Sequence, residues 1–418
     1  MSRLATARAA LVGANILLPL LVLEAALRVA GPIFPGNYDT GSYLSRHPRY
    51  GHYHPASYDG WIRRDEFTVQ VRTNGEGQRG PAVPFERAPN TFRILVVGDS
   101  FVEAVQVAEH ERFLARLEQS LNPPGAAIRV ELIDGGCGGW GTAQEYLYLL
   151  DEGPRYRPDL VLLAFFVGND VANNSLDLEL DGRLDLALKP YYRRTAGGTI
   201  ELLEPQPPPP TVTERIAAYF RARSAVYNVI ETGVLQKLSL DDHWAALRDL
   251  DALVETRTHD IDLYRPKLDD RWREAWTITE TLVGYVGRAA RDQGSRAAMI
   301  VVPTREQVVR QAWRDHAGRI DNGERVLDAE HPNAMLRGIA ERASMPMLDL
   351  LPGFKKAAAA RGAPQFYFAR DQHWTAAGHA LAAESIAGFL RAERLLPEGV
   401  GTAAVPVEHR SDAVTHAR

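Results

Sequence analysis

Five short aliphatic runs, separated by helical patterns, constrain this chain more than any other feature. They are FRILVVG (92–98), AIRVELIDGG (127–136), PDLVLLAFFVGND (158–170), SRAAMIVVPT (295–304) and MPMLDLLP (345–352). Each is largely aliphatic rather than alternating, which suits strands buried on both faces of a parallel sheet. Between and after them come ERFLARLEQSL, TAQEYLYLL, TITETLVGYVGRAA, MLRGIAERA and AGHALAAESIAGFL, whose apolar residues recur at helical spacing. Strand and helix in alternation predict an α/β fold, a doubly wound and mostly parallel five-stranded sheet with right-handed crossovers.

One gap interrupts that rhythm. About a hundred residues separate Gly168-Asn169-Asp170 from the helical pattern at Thr277, far more than a βα connection needs. The stretch holds LDGRLDLALKPYYRR, a polyproline spacer EPQPPPP and the helical run TERIAAYFRARSAVYNVIETG. It reads as an inserted cap. The expected organisation is therefore an N-terminal membrane anchor at 1–31 and an irregular, partly β segment at 32–90. The first part of the α/β domain follows at 91–170, the insertion at 171–275, the second part at 276–396, and a disordered tail at 397–418.

The anchor is inferred from ALVGANILLPLLVLEAAL, residues 10–27, which follow Arg3 and Arg8. The run reaches the length of a span if Glu24 snorkels to the interface. Two arginines before it favour an N-terminus in the cytoplasm and a body outside, on the periplasmic or surface side of a bacterial inner membrane. A cleaved signal peptide is the rival, but no convincing A-x-A site follows. In 32–90, FTVQVRTNGEG alternates like a strand and turns at Asn74-Gly75. His47, His52 and His54 lie in its irregular part and read as solvated loop residues, not metal ligands.

The chain has 418 residues and a net charge of -5. No basic stripe is available to neutralise phosphates, so nucleic acid is not an expected partner. The single cysteine, Cys137, rules out an intramolecular disulfide and leaves a cysteine-based zinc site without support.

In open α/β sheets ligands bind beyond the carboxyl ends of the strands. There the sequence sets four motifs: Gly98-Asp99-Ser100-Phe101 after the first strand, GGCGGWGT (135–142) after the second, Gly168-Asn169-Asp170 after the third, and Asp371-Gln372-His373-Trp374 before the last helix. Each has a bland reading as a cap, a turn or a structural histidine. Together they supply one reaction. Ser100 offers a hydroxyl on a strand-to-helix turn, and His373 can take its proton with Asp371 on the other ring nitrogen. The N–H groups of Ser100 and of a glycine in the 135–142 loop, with the Asn169 amide, can bind an oxyanion.

These motifs resemble blocks I, II, III and V of the SGNH/GDSL hydrolases, over roughly residues 92 to 390 without the insertion. The resemblance implies a flavodoxin-like sheet, esterase chemistry without metal or cofactor, Ser100 as nucleophile, Gly139 and Asn169 in the oxyanion hole, and Asp371 with His373 as the closing pair. Asp134 and Val102 depart from the family at positions flanking the site. The closing pair is D-x-H-W where much of the family has D-x-x-H, and it is also similar to the acetyltransferases that decorate alginate. The expected function is therefore an extracytoplasmic serine ester hydrolase acting on O-acyl or O-acetyl groups, with an envelope glycan as the implied substrate. Transfer of an acyl group to a sugar hydroxyl is the runner-up, and a non-catalytic glycan-binding protein on a hydrolase fold is a third reading. Trp140 and Trp374 flank the expected pocket and are candidates for stacking on a sugar.

Three rivals sit in the same sequence. Gly136-Cys137-Gly138-Gly139-Trp140-Gly141 fits a dinucleotide fingerprint, but it follows the second strand and lacks its acid at the next strand end. Cys137 has no evident basic partner to lower its pKa. A second string, Asp241-Asp242-His243-Trp244, begins a helix capped by Ser239, with no strand before it.

Overall fold

The computed structural model describes residues 3–30, 38–39, 43–180, 188–204, 211–221, 223–230, 261–320, 327–361 and 365–401. The duplicate string at 241–244, its helix start at Ser239, the polyproline spacer and most of the C-terminal tail lie outside the described residues.

The sequence 32–90 forms more structure than expected. Strands β1 (Tyr38–Asp39), β4 (Asp59–Arg63) and β5 (Thr68–Arg72) make an antiparallel sheet, and β2 (Ser45–His47) pairs with β3 (Gly51–Tyr53). The alternation in β5 buries Val69 and Val71 beside Ile62, Phe67 and Tyr43. The turn at Asn74 forms because its side chain accepts the N–H groups of Glu76 and Gln78.

The main sheet contains β6 (Thr91–Gly98), β7 (Arg129–Gly136), β8 (Leu160–Phe166), β11 (Arg296–Val302) and β12 (Met347–Asp349). Its order is β12-β11-β8-β6-β7, and every pairing is parallel. The expected five-stranded α/β sheet is present. Successive residues of each strand feed opposite cores, as a two-residue period requires. Leu95, Val97, Val161, Leu163, Met299 and Val301 face the layer that holds Trp272, Trp276 and Val283. Ile94, Val96, Leu160, Leu162, Ala298 and Ile300 face Phe113, Leu117, Ile386 and Leu390. Because helices cover both faces, β8 is buried along its whole length. The insertion contributes a hairpin, β9 (Tyr191–Arg194) with β10 (Ile200–Leu203), and helices at Val212–Arg221 and Ala225–Ile230.

The order places β6 between β7 and β8, and the chain leaves the carboxyl end of β6 toward β7 but that of β8 toward β11, in opposite directions. This is the switch point where a crevice opens. Ser100 is two residues beyond it.

The N-terminal expectation needs correction. A single helix, α1 (Arg3–Ala30), does form, with Pro19 inside it. Among the described residues, however, no helix is long and apolar enough to cross a membrane. Asn15, Pro19 and Glu24 interrupt the apolar run. Glu24 does not snorkel: its carboxylate accepts the N–H groups of Ala225 and Val226 and the Ser224 hydroxyl, at 2.9–3.0 Å, capping the helix Ala225–Ile230.

Candidate active site

The turn after β6 separates capping from chemistry. Asp99, not Ser100, is the N-cap of α2 (Ser100–Glu103), its Oδ1 accepting Phe101 N–H at 2.9 Å. Ser100 is thus free of the capping role its type invites. Its Oγ lies 2.7 Å from His373 Nε2, and His373 Nδ1 lies 2.8 Å from Asp371 Oδ1. Asp371 and His373 lie 271 and 273 positions after Ser100, yet the three form one continuous chain of hydrogen bonds.

The D-x-H spacing has a local explanation. Gln372 has φ 71°, in the left-handed region, which turns the chain sharply between the two functional residues. The Asp371 carboxylate accepts the His373 backbone N–H at 3.3 Å as well as the ring N–H. The same oxygen therefore fixes backbone and imidazole, and the ring must present a bare Nε2 to Ser100 when neutral. On the flanks, Phe368 N–H donates to His373 O, and Thr375 caps the helix Ala376–Ala392. From outside, Glu66 accepts the N–H groups of Ala369, Arg370 and Asp371 at 2.7–2.8 Å.

The electrostatics follow from these contacts. Burial opposes charging of His373, but Asp371 beside it, with Asp99 behind, outweighs that and lifts its pKa to about 9. Burial raises Asp371, and the His373 partner more than reverses this, holding it below the usual carboxylate value. Burial pushes Asp99 up to about 6, against its bond from Phe101 N–H and the nearby His373.

The residues expected on the oxyanion side come from two further loops. Gly139 has φ 75°, which favours glycine at this position. A Cβ added at Gly138 would lie 2.7 Å from Glu103 Oε2 and 3.7 Å from Ser100 Cβ, so this loop passes directly against the serine. Asn169 precedes the short helix Asp170–Asn173 without capping it, and its Oδ1 is buried with no partner among the described residues. Asp170 instead turns back to accept Phe166 N–H at 2.7 Å. The structure thus brings together Ser100, His373 and Asp371, and sets the Gly138-Gly139 loop against Ser100.

Trp140 and Trp374 do not fit the stacking role expected of them. They are 0% and 1% exposed. Trp140 packs on Tyr53 and donates to His52 O, while Trp374 stacks on Phe354. Both indoles are core. Cys137 is also fully buried, and desolvation drives its thiol pKa well up, which disfavours the thiolate. Of the departures from the family pattern, Asp134 pairs with Arg112 and caps Gly136 N–H, and Val102 packs against the glycines of β6 and β7. Both shore up the loops.

Reading His52 and His54 as solvated missed their roles. His54 is 4% exposed and lies 2.6 Å from Glu103, and His52 Nε2 lies 2.8 Å from Gly138 O. Lys189, in the insertion, donates to Gly139 O at 2.8 Å. The density of Tyr and His between residues 43 and 54 was the available signal; it matches an aromatic cluster of Tyr50, Tyr53, Trp140 and Tyr148 rather than a loop in water. His54, Glu103 and Cys137 are also the one group of metal-ligand types found together among the described residues, their donor atoms lying within 4.8 Å. That carboxylate is already engaged by His54 and by Gly138 N–H.

A parallel five-stranded sheet with serine, imidazole and carboxylate linked at its carboxyl rim defines the class, an α/β fold bearing a Ser-His-Asp relay. Within that class, residues 266–415 match the family described as SGNH hydrolase-like domain, acetyltransferase AlgX. The match includes Asp371 and His373 and begins after Ser100. No curated protein matches the chain in sequence. Similar solved structures include an acetyl xylan esterase, at 14% identity and TM-score 0.38, covering 71% of this chain and 98% of that one. Another is a two-domain esterase active on acetylated mannans, at 12% identity and TM-score 0.37, covering 76% and 53%. A third is a lipase/acylhydrolase from Enterococcus faecalis, at 14% identity and TM-score 0.36, covering 72% and 96%.

Proposed function

We propose that this chain is a serine acyl-transfer enzyme that cleaves oxygen esters through an acyl-Ser100 intermediate. The observation that carries the reading is the Ser100 Oγ–His373 Nε2–Asp371 relay, at 2.7 and 2.8 Å. In the first half-reaction Ser100 Oγ attacks the ester carbonyl carbon while His373 Nε2 takes its proton. The N–H groups of Ser100 and Gly139 and the Asn169 amide hold the resulting oxyanion. Collapse breaks the ester C–O bond, and His373 returns the proton to the departing alcohol oxygen. In the second half-reaction His373 deprotonates an incoming hydroxyl, which attacks the acyl carbon; the bond from that carbon to Ser100 Oγ breaks, and His373 returns the proton to Oγ.

Whether that hydroxyl belongs to water or to a sugar separates a hydrolase from an O-acyltransferase. Hydrolysis is the primary reading. Transfer is kept because residues 266–415 match an acetyltransferase family, and the D-x-H-W string lies in that stretch. An O-acetylated envelope glycan is the substrate class we favour, supported by that family description. A location outside the cytoplasm goes with that substrate; recovery of the chain only from the cytosolic fraction of its cells would overturn that part.

A fluorophosphonate probe tests the core of the proposal. Labelling at Ser100, lost in His373→Ala, is expected, and no labelling at Ser100 refutes the nucleophile. An acetylated oligosaccharide with and without an unacetylated acceptor then reads the partition. Free acetate in both cases supports the hydrolase, and acetylated acceptor supports the transferase.

A further inference from the structure

Three consecutive peptide groups of the loop after β7 are each gripped by a side chain from a different part of the chain. The N–H of Gly138 donates to the Glu103 carboxylate, which His54 meets at 2.6 Å. The carbonyl of Gly138 meets His52 Nε2 at 2.8 Å. The carbonyl of Gly139 accepts from Lys189 Nζ at 2.8 Å, and that ammonium pairs with Glu179 at 2.9 Å.

The middle contact has a geometric consequence. The Gly138 carbonyl and the Gly139 N–H are opposite ends of one planar trans peptide, so fixing one direction fixes the other. The Gly139 N–H has no protein acceptor among the described residues. It is a donor held in a set direction and left unspent.

We propose that His52 is the positioning residue that aims the Gly139 N–H into the oxyanion hole; the proposal rests on the reading of Ser100 as nucleophile. A carbonyl oxygen only accepts, so His52 Nε2 carries the proton. Burial keeps the ring neutral by driving its pKa down to about 4. The ring therefore donates across the physiological range without bringing a variable charge to the site. Its hydrogen bond also polarises the amide and strengthens the opposite N–H as a donor. Glu103 and Lys189 fix the flanking peptides, so the plane cannot rotate to escape. The β2–β3 hairpin, which carries His52, thereby becomes part of the acyl-transfer site rather than a leader to it.

Two substitutions separate aiming from bulk. His52→Leu keeps volume and loses the donor, whereas His52→Gln places an amide N–H at similar reach. In His52→Leu, kcat should fall about tenfold to a hundredfold, toward the loss typical of removing an oxyanion donor, with KM within about twofold. Hydrogen exchange across residues 137–141 should accelerate about tenfold while β6 and β8 stay protected. His52→Gln should recover most of both effects. The proposal is overturned if exchange in the loop is unchanged in His52→Leu, or if His52→Gln is as impaired as His52→Leu. Exchange reads the aiming without reference to turnover. Failure of the fluorophosphonate to label wild-type Ser100 would remove the nucleophile reading, and the exchange data would still decide for or against His52. Should His52→Leu not fold, loop exchange in His52→Gln decides: wild-type protection supports the proposal, and protection lost in the loop alone overturns it.

Discussion

Asp371 and His373 stand two positions apart and meet through one turn, whereas the glycine loop opposite them is held by His52, 86 residues before its contact, and by Lys189, 50 residues after. The acid–base side carries its geometry within itself. A left-handed Gln372 and one carboxylate oxygen bonded to both the backbone N–H and the Nδ1–H of His373 suffice to set the ring. Its outside support is Glu66, on the rim, where water can replace a lost bond. The oxyanion side has the opposite construction. Its glycines specify no direction of their own, and the side chains that supply one are mostly buried. A catalytic residue with a self-contained turn should tolerate loss of its supports, and a glycine loop should not.

The largest effects should come from the reacting groups. Ser100→Ala and His373→Ala are each expected to lower kcat on an acetyl ester by about 10⁴-fold or more, the double mutant losing little beyond either single one. Additive losses would break the relay. Asp371→Asn should cost about 10²- to 10⁴-fold and also shift the pH profile. The imidazole acts as base when neutral, and Asp371 helps lift His373 to about 9. In wild type kcat/KM should therefore rise with pH through that value. Removing the carboxylate lowers the His373 pKa, so the midpoint should move to lower pH while the plateau falls. A midpoint that stays in place would show that Asp371 does not govern the ring. On the oxyanion side Asn169→Ala should lower kcat about 10²- to 10³-fold with KM nearly unchanged, measured by steady-state kinetics. A change confined to KM would make Asn169 a binding residue instead.

The same contrast explains what could be read from the chain alone. The sheet was legible because FRILVVG, LVLLAFF and RAAMIVV are apolar without alternation, a pattern that only two-sided burial requires. Ser100, Asp371 and His373, which the structure brings together, were legible because each stands just after a strand end or before a helix. His52, Glu103 and Lys189 were not, because their roles depend on long-range packing that no local spacing records. Trp140 and Trp374 misled for a related reason. An indole beside a motif is as often core as contact, and only the other side of the fold, Tyr53 for one and Phe354 for the other, decides which. The N-terminal helix shows the same limit: Glu24 looked like the end of a span and is a cap for the helix Ala225–Ile230, some two hundred residues away.

Glu66 gives the smallest and most discriminating test. Its two oxygens accept three consecutive N–H groups, those of Ala369, Arg370 and Asp371, just before the functional turn. If the turn is self-contained, Glu66→Ala should leave the Ser100–His373 hydrogen bond intact and lower kcat/KM only a few-fold. The three freed N–H groups lie near the surface, where water replaces a carboxylate at about 1 kcal/mol or less per bond. Melting temperature should drop by a few degrees at most. A hundredfold loss of turnover with the fold preserved would instead show that the acid–base loop is as dependent on its distant support as the glycine loop, and the asymmetry between the two sides would be gone.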